Sequence, residues 1–196
     1  MMIGVIGGVG AGKSTVLERL REQYGFQVYR TDDMAKSMYH KGSPVFAALT
    51  ELLGEDILTE DGEHFQLNRF AERLYKEPKL RRRVEEIVHP AVWHEVHRLV
   101  QQAGKEGARL VVETALPRQD FLTACDEVWF VYTEREVRIQ RLMQSRGYSR
   151  EKAEAIIQAQ PEDDEYAALS DFVINNSFTE EETGNEIYEH CKRLQW

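Results

Sequence analysis

Gly7-Gly8-Val9-Gly10-Ala11-Gly12-Lys13-Ser14-Thr15 satisfies G-x-x-x-x-G-K-[ST] at every position, and its reading decides the fold. Four glycines in six positions let the backbone turn its N–H groups inward around oxyanions, in conformations where a side chain would clash. Lys13 adds a point charge for the β- and γ-phosphates, and the Ser14 hydroxyl is placed to hold Mg²⁺. The helix expected to follow aims its positive end at the same oxygens. Residues 1–6 read as a short buried strand leading into the loop, and 14–24 carry Val16, Leu17 and Leu20 at helical spacing. Strand, loop and helix therefore occur in the order that a phosphate-binding loop requires.

A chain of 196 residues is most simply one domain, able to bury roughly 70% of its unfolded surface without cross-links. No run of 18 apolar residues is present, and a Gly-rich loop stands where a signal peptide would carry its cleavage site. The expectation is a cytoplasmic protein without membrane association. Cys125 and Cys191 lack C-x-x-C spacing and read as reduced thiols. A net charge of −9 argues against general nucleic-acid binding, which rests on cations neutralising phosphates. Basic residues nevertheless cluster in 76–83 and 135–150, so a phosphate site would be local.

Phe26-Gln27-Val28-Tyr29 reads as a second strand, followed at once by Thr31-Asp32-Asp33. Thr31 suits an N-cap and the aspartates suit a first helical turn. Alternatively, Asp32 or Asp33 lies beyond a strand's carboxyl end, where α/β sheets bind ligands, and serves as catalytic base or metal partner. The pattern alone leaves both carboxylates open. Helical segments follow, with Gly42-Ser43-Pro44 as a break, Phe46, Leu49 and Leu53 on one face and Gly54 as C-cap.

A long helix is expected over 79–103, with Leu80, Val84, Val88, Ala91, Val92, Val96, Leu99 and Ala103 as its apolar stripe. Pro90 should kink it or begin a new helix near His89. His94 and His97 read as solvated, since no zinc-site pattern accompanies them.

Residues 109–113 and 127–132 read as buried parallel strands. Glu113, at a strand end, is a candidate to face substrate or metal, or to pair with a nearby arginine. Arg135, Arg138 and Arg141 recur every three residues on one helical face, followed by Arg146. With Gly147-Tyr148-Ser149 as a break, this segment suits a lid over about 135–165 that brings cations to a transferring phosphoryl group. Residues 170–174 form a fifth short strand. Asn175 and Asn176 beyond it are candidates for the adenine site or simply turn residues, and Thr179 with Glu182 makes a capping box.

Together these motifs resemble the dephospho-coenzyme A kinase family. The loop is similar to that family's T-G-G-I-G-S-G-K-S-T, with Ile6 for the first Thr, and 28–36 resemble V-x-D-A-D-x-I-A-R, aligning Asp32 with the catalytic aspartate and Arg30 with an acidic residue. His89-Pro90 matches the family's H-P. Glu113-Thr114-Ala115-Leu116 is similar to its E-S-A-L-L, with Pro117 and Arg118 departing from it. Arg141-Leu142-Met143 resembles the lid motif R-L-M-x-R with the second arginine shifted to Arg146, and Gln160 and 171–176 resemble the closing Q and D-x-V-I-x-N.

The resemblance implies a three-layer α/β P-loop kinase fold with a five-stranded parallel sheet, a helical substrate-binding region at about 33–105 and the lid. It implies phosphorylation of the ribose 3′-hydroxyl of dephospho-coenzyme A by ATP with Mg²⁺, giving coenzyme A and ADP. Asp32, Lys13 and Arg141 would be catalytic. ATP would be held by Gly8, Val9, Gly10, Ala11, Gly12, Lys13, Ser14, Thr15, Arg138, Arg146 and Asn176, with Ser14 on the metal. Asp32, His89 and Glu113 would place the acceptor, and the protein would be a monomer or weak homo-oligomer. Two other readings compete: a P-loop kinase for another small hydroxyl acceptor (nucleoside, nucleotide or shikimate-like), and a non-catalytic ATP-binding regulatory protein.

Overall fold

The apolar run after Met1 forms β1 (Met2–Ile6), buried along its whole length. The computed structural model describes residues 1–115 and 117–194. Among them the other strands are β2 (Gln27–Arg30), β3 (Leu110–Glu113), β4 (Glu127–Tyr132) and β5 (Phe172–Asn175). They form one sheet in the order β2-β3-β1-β4-β5. β1 pairs in parallel with β3 and β4, and β4 in parallel with β5. Gln27 N–H donates to Arg109 O at 2.9 Å, tying the start of β2 to the chain entering β3. Near-continuous apolar strands are what burial on both faces demands.

Residues Met1–Tyr29 with Val100–Trp196 make one compact unit, and Arg30–Leu99 a second. In the first unit, α1 (Lys13–Tyr24) and α10 (Glu180–Arg193) cover one sheet face. Val16, Leu17, Leu20, Ile187 and Cys191 pack there with Ile3, Val5, Val111, Trp129, Val131 and Ile174, the alternate residues of four strands. On the other face lie α6 (Gln119–Ala124) and α9 (Asp163–Ala168). The ring of Tyr166 from α9 stacks on that of Phe130 at 5.4 Å between centroids. The short α6 was not expected from the sequence. One buried residue, Phe121, anchors it, and a six-residue helix has too few turns to display a period.

Completing this unit, α7 (Arg135–Arg146) ends on Gly147 in the left-handed conformation and α8 (Arg150–Gln158) starts on Ser149, whose hydroxyl accepts from Lys152 N–H. Both breaks fall where the sequence placed them. The Thr179–Glu182 capping box also forms at the start of α10.

The second unit contains α2 (Thr31–Ser37), α3 (Pro44–Leu53), a 3₁₀ turn (Glu55–Ile57), α4 (Leu67–Lys76) and most of α5 (Pro78–Glu106). Phe65 is its centre, 4.6 Å from the Phe46 ring and 5.5 Å from that of Phe70. Thr31 lies inside α2, with extended Arg30 as the N-cap residue, so the N-cap expected of Thr31 is corrected by one position. Of the two outcomes expected at Pro90, a kink or a new helix, the new helix does not form: α5 is continuous through it. A proline removes one hydrogen bond, to the carbonyl of residue 86. Glu86 and Pro90 are exposed, and buried Val84, Val88, Val92 and Val96 hold the helix on either side. No helix among the described residues is long and apolar enough to cross a membrane.

Candidate active site

β1 delivers the glycine-rich loop at its carboxyl end, and the loop closes into α1 through Gly12, whose φ of 82° lies in the left-handed region. Only glycine adopts that conformation without strain. Thr15 N–H donates to Gly12 O at 3.0 Å, starting the helix. No acidic residue occupies the first turn of α1, so the positive end of the helix is left to an anion.

The Lys13 ammonium donates to Gly7 O at 2.8 Å and to Gly8 O at 3.2 Å. It also lies 3.3 Å from Glu113 Oε1, both side chains being 14% exposed. Of the roles left open for Glu113, the structure thus shows a cationic partner, and the partner is the loop lysine rather than an arginine. Ser14 is exposed in the first turn of α1.

The loop is held from behind by residues far along the chain. Ala11 O accepts from Thr133 Oγ1 at 2.9 Å, Asn176 Nδ2 at 2.8 Å and Arg141 Nη1 at 3.4 Å. Asn176, 3% exposed, accepts in turn from the Thr183 hydroxyl at 2.8 Å, so both ends of its amide are bonded. Arg141 Nη2 also donates to Asn176 O at 2.9 Å. The Asn176 side chain therefore bonds the loop backbone through Nδ2 and the Thr183 hydroxyl through Oδ1. Its neighbour Asn175 behaves as a turn residue, accepting from Ser177 N–H at 3.0 Å.

Of the arginine row, Arg138 is 4% exposed and Arg135 is exposed, so the expected shared face divides between interior and solvent. Arg138 Nε donates to Val9 O at 3.0 Å, and Nη1 lies 3.3 Å from Asp163 Oδ1. Burial pushes the Arg138 guanidinium down from its ordinary value, and Asp163 opposes that shift. Val9 N–H donates to Gln160 Oε1 at 2.7 Å. Arg146 is exposed in the last turn of α7. Arg138 and Arg141 thus bond loop carbonyls, while Arg135 and Arg146 are exposed.

Sequence reasoning missed Thr133 and Thr183 altogether and noted Gln160 only as part of a resemblance. Position was the sole clue for Thr133: it follows β4, as Gly7 follows β1.

In the second unit, Asp32 and Asp33 both lie exposed in the first turn of α2, and their surroundings separate them. Asp33 has two cationic neighbours, Arg30 at 3.9 Å and Lys36 at 3.8 Å. Asp32 has no ion pair among the described residues; its charge, after burial itself, helps push the Tyr39 phenol upward. His89 is half-buried on α5, while His94 and His97 are exposed as expected. Leu116, part of the segment that began with Glu113, lies outside the described residues. No group of three His, Cys, Asp or Glu side chains suited to a metal gathers among the described residues. Cys125 and Cys191 are free thiols, pushed by burial up to about 12 and about 11.

This arrangement suits an oxyanion at the loop: a glycine-rich turn, a helix start and an ammonium, with no ion pair to a carboxylate other than Lys13–Glu113 at the loop among the described residues. A family model described as dephospho-CoA kinase matches residues 1–182. The dephospho-CoA kinase of Carboxydothermus hydrogenoformans is 30% identical over 197 aligned positions, covering 100% of this chain and 95% of the relative. That of Staphylococcus epidermidis is 34% identical over 178 positions, covering 89% and 86%. Among solved structures, a Thermus thermophilus protein superposes with a TM-score of 0.82 at 22% identity, covering 99% of this chain and 97% of its own. A dephospho-CoA kinase from Campylobacter jejuni gives 0.73 at 20% identity over 98% and 96%, which supports the fold.

Proposed function

This chain belongs to the dephospho-CoA kinase family, and from that premise we propose that it transfers the γ-phosphoryl group of ATP to the ribose 3′-hydroxyl of dephospho-coenzyme A. The observation that carries the reading is the family match over residues 1–182, which includes an assembled phosphate loop.

The loop amides and Lys13 hold the donor phosphates. Lys13 is already at the loop mouth on Gly7 O and Gly8 O, and it exchanges those carbonyls for phosphate oxygens as the nucleotide binds. Glu113 keeps the ammonium directed. Mg²⁺ suits this residue set, because it is commonly held by a single side chain, waters and substrate phosphates, and exposed Ser14 offers such a hydroxyl. When bound, the ion supplies positive charge to the β- and γ-phosphate oxygens. Arg141, with Arg146, meets charge building on the transferring group, while Arg138 shapes the loop.

Asp32 accepts the proton of the acceptor hydroxyl or orients that hydroxyl. Asp32 has no ion pair among the described residues, whereas the Asp33 carboxylate lies 3.9 Å from Arg30 and 3.8 Å from Lys36, and this supports Asp32 over Asp33. His89 and Glu113 place the acceptor, and the helical region 33–105 and lid 135–165 complete one kinase domain. Two free thiols suit a reducing, cytoplasmic compartment.

ADP release should be measured with dephospho-coenzyme A, with a panel of nucleosides and shikimate, and with no acceptor. Turnover that requires dephospho-coenzyme A is expected. Equal turnover with another alcohol, or none with any acceptor, would overturn the assignment.

A further inference from the structure

We propose that Gln160 and Arg138 form a clamp on Val9 that sets the phosphate loop in its donor-binding shape, which makes Gln160 a positioning residue for the nucleotide. Both polar groups of Val9 are taken: its N–H donates to Gln160 Oε1 at 2.7 Å, and its carbonyl accepts from Arg138 Nε at 3.0 Å. The two partners are bonded to each other, Arg138 Nη2 donating to the same Gln160 oxygen at 3.2 Å. A closed ring results, with Asp163 Oδ1 balancing the buried guanidinium at 3.3 Å.

Gly8 provides a second, independent observation. Its place in G-x-x-x-x-G-K-[ST] is an x, so phosphate binding does not require glycine there. Nor does the backbone, since Gly8 is absent from the glycines of positive φ. What excludes a side chain is the clamp: a Cβ on Gly8 would stand 2.0 Å from Arg138 Nη2 and 2.6 Å from Cζ. The guanidinium crosses the face of Gly8 on its way to Val9.

The consequence concerns the donor. Glycines at 7, 8, 10 and 12 give the loop wide backbone freedom, and a ligand's apparent affinity falls by the fraction of molecules in the competent shape. Gln160 lies between α8 and α9, its own N–H donating to Ile157 O at 3.1 Å, so the clamp ties that turn to the loop. Loosening it should weaken the nucleotide and leave acceptor affinity alone.

The inference needs only that the loop binds a nucleotide, so calorimetric titration with ATP and Mg²⁺ tests it without any acceptor. Failure of dephospho-coenzyme A as substrate would leave that readout intact. Gln160→Ala should raise the Kd for ATP about tenfold, the scale of one buried hydrogen bond, with Tm within about 2 °C of the parent. Gln160→Glu keeps the accepting oxygen and should restore the Kd to within about twofold. Gly8→Ala should weaken ATP similarly, and the double variant Gly8→Ala/Gln160→Ala no more than either alone, because both act on one clamp. An unchanged Kd in Gln160→Ala overturns the proposal. So do additive losses in the double variant, or a fall in Tm of more than about 5 °C that Gln160→Glu leaves uncorrected, which would mark a purely structural residue.

Discussion

The phosphate loop and the first turn of α2 both present the polar groups assigned to phosphoryl transfer, yet they are built on opposite principles. At the loop, one carbonyl, Ala11 O, gathers three donors from Thr133, Arg141 and Asn176. Val9 is bonded at both its polar groups. At α2, a seven-residue helix carries Asp32 exposed and without an ion pair among the described residues. The difference teaches which half of the proposed chemistry would be organised in advance. Dipoles fixed before a donor arrives need no reorganisation when charge develops, whereas an exposed carboxylate proposed as base would gain its environment from the acceptor.

The largest test of this contrast is Lys13→Ala. Removing the ammonium should lower kcat/KM on the order of 10³-fold, comparable with deleting a preorganised charge-stabilising donor, while Tm stays within a few degrees. Steady-state kinetics with a melting curve check it, and near-normal turnover would remove the loop from the donor role.

Next in size, Asp32→Asn should reduce kcat by about 10²-fold with the KM for ATP unchanged, as expected of a positioned base. Asp33→Asn should retain most of the activity, because its carboxylate lies with Arg30 and Lys36. If the two variants behaved alike, the distinction between the aspartates would collapse.

A smaller effect should separate the regions in stability rather than rate. Asn176→Ala removes two buried hydrogen bonds, to Ala11 O and from Thr183. It should cost about 2 kcal/mol and lower Tm by about 6 °C. Asp32→Asn, on an exposed turn, should leave Tm nearly unmoved. Thermal melts of the pair compare the two building principles directly.

The smallest signal is alkaline. Both thiols belong to the strand-bearing unit and are held protonated by burial, at about 12 for Cys125 and about 11 for Cys191, against 9.0 when unburied. Their neutral forms favour the native state fully below pH 9. As pH rises past 9 the unfolded chain releases thiol protons that the native state keeps, so stability declines towards pH 11–12. Urea unfolding at pH 8 and pH 10 should show that decline, and Cys125→Ala should make it shallower.

How much of this was legible beforehand follows from how local each cause is. The loop, the strand before it and the helix after it were read because nine consecutive residues carry their own chemistry. The Gly147–Ser149 break and the Thr179–Glu182 box were readable for the same reason, since each is closed by residues within one helical turn. At Pro90 the sequence leaves a kink and a new helix both open, because the cost of proline is local but its compensation, the burial of Val84 and Val92 on either side, is not. Nothing in Asn175-Asn176-Ser177 announces that the Asn176 amide turns inward to residue 11.

By itself, then, the amino-acid sequence determined that a phosphate loop opens an α/β domain and that an aspartate follows the second strand, since short-range glycine, charge and apolar patterns specify such features. Only the tertiary structure decided what each polar side chain touches. It took Arg138 and Gln160 to Val9 and joined Glu113 to Lys13. The reason is physical: a hydrogen bond forms within about 3 Å whatever the distance along the chain, so its partners are set by the packing of the strands and helices that carry them.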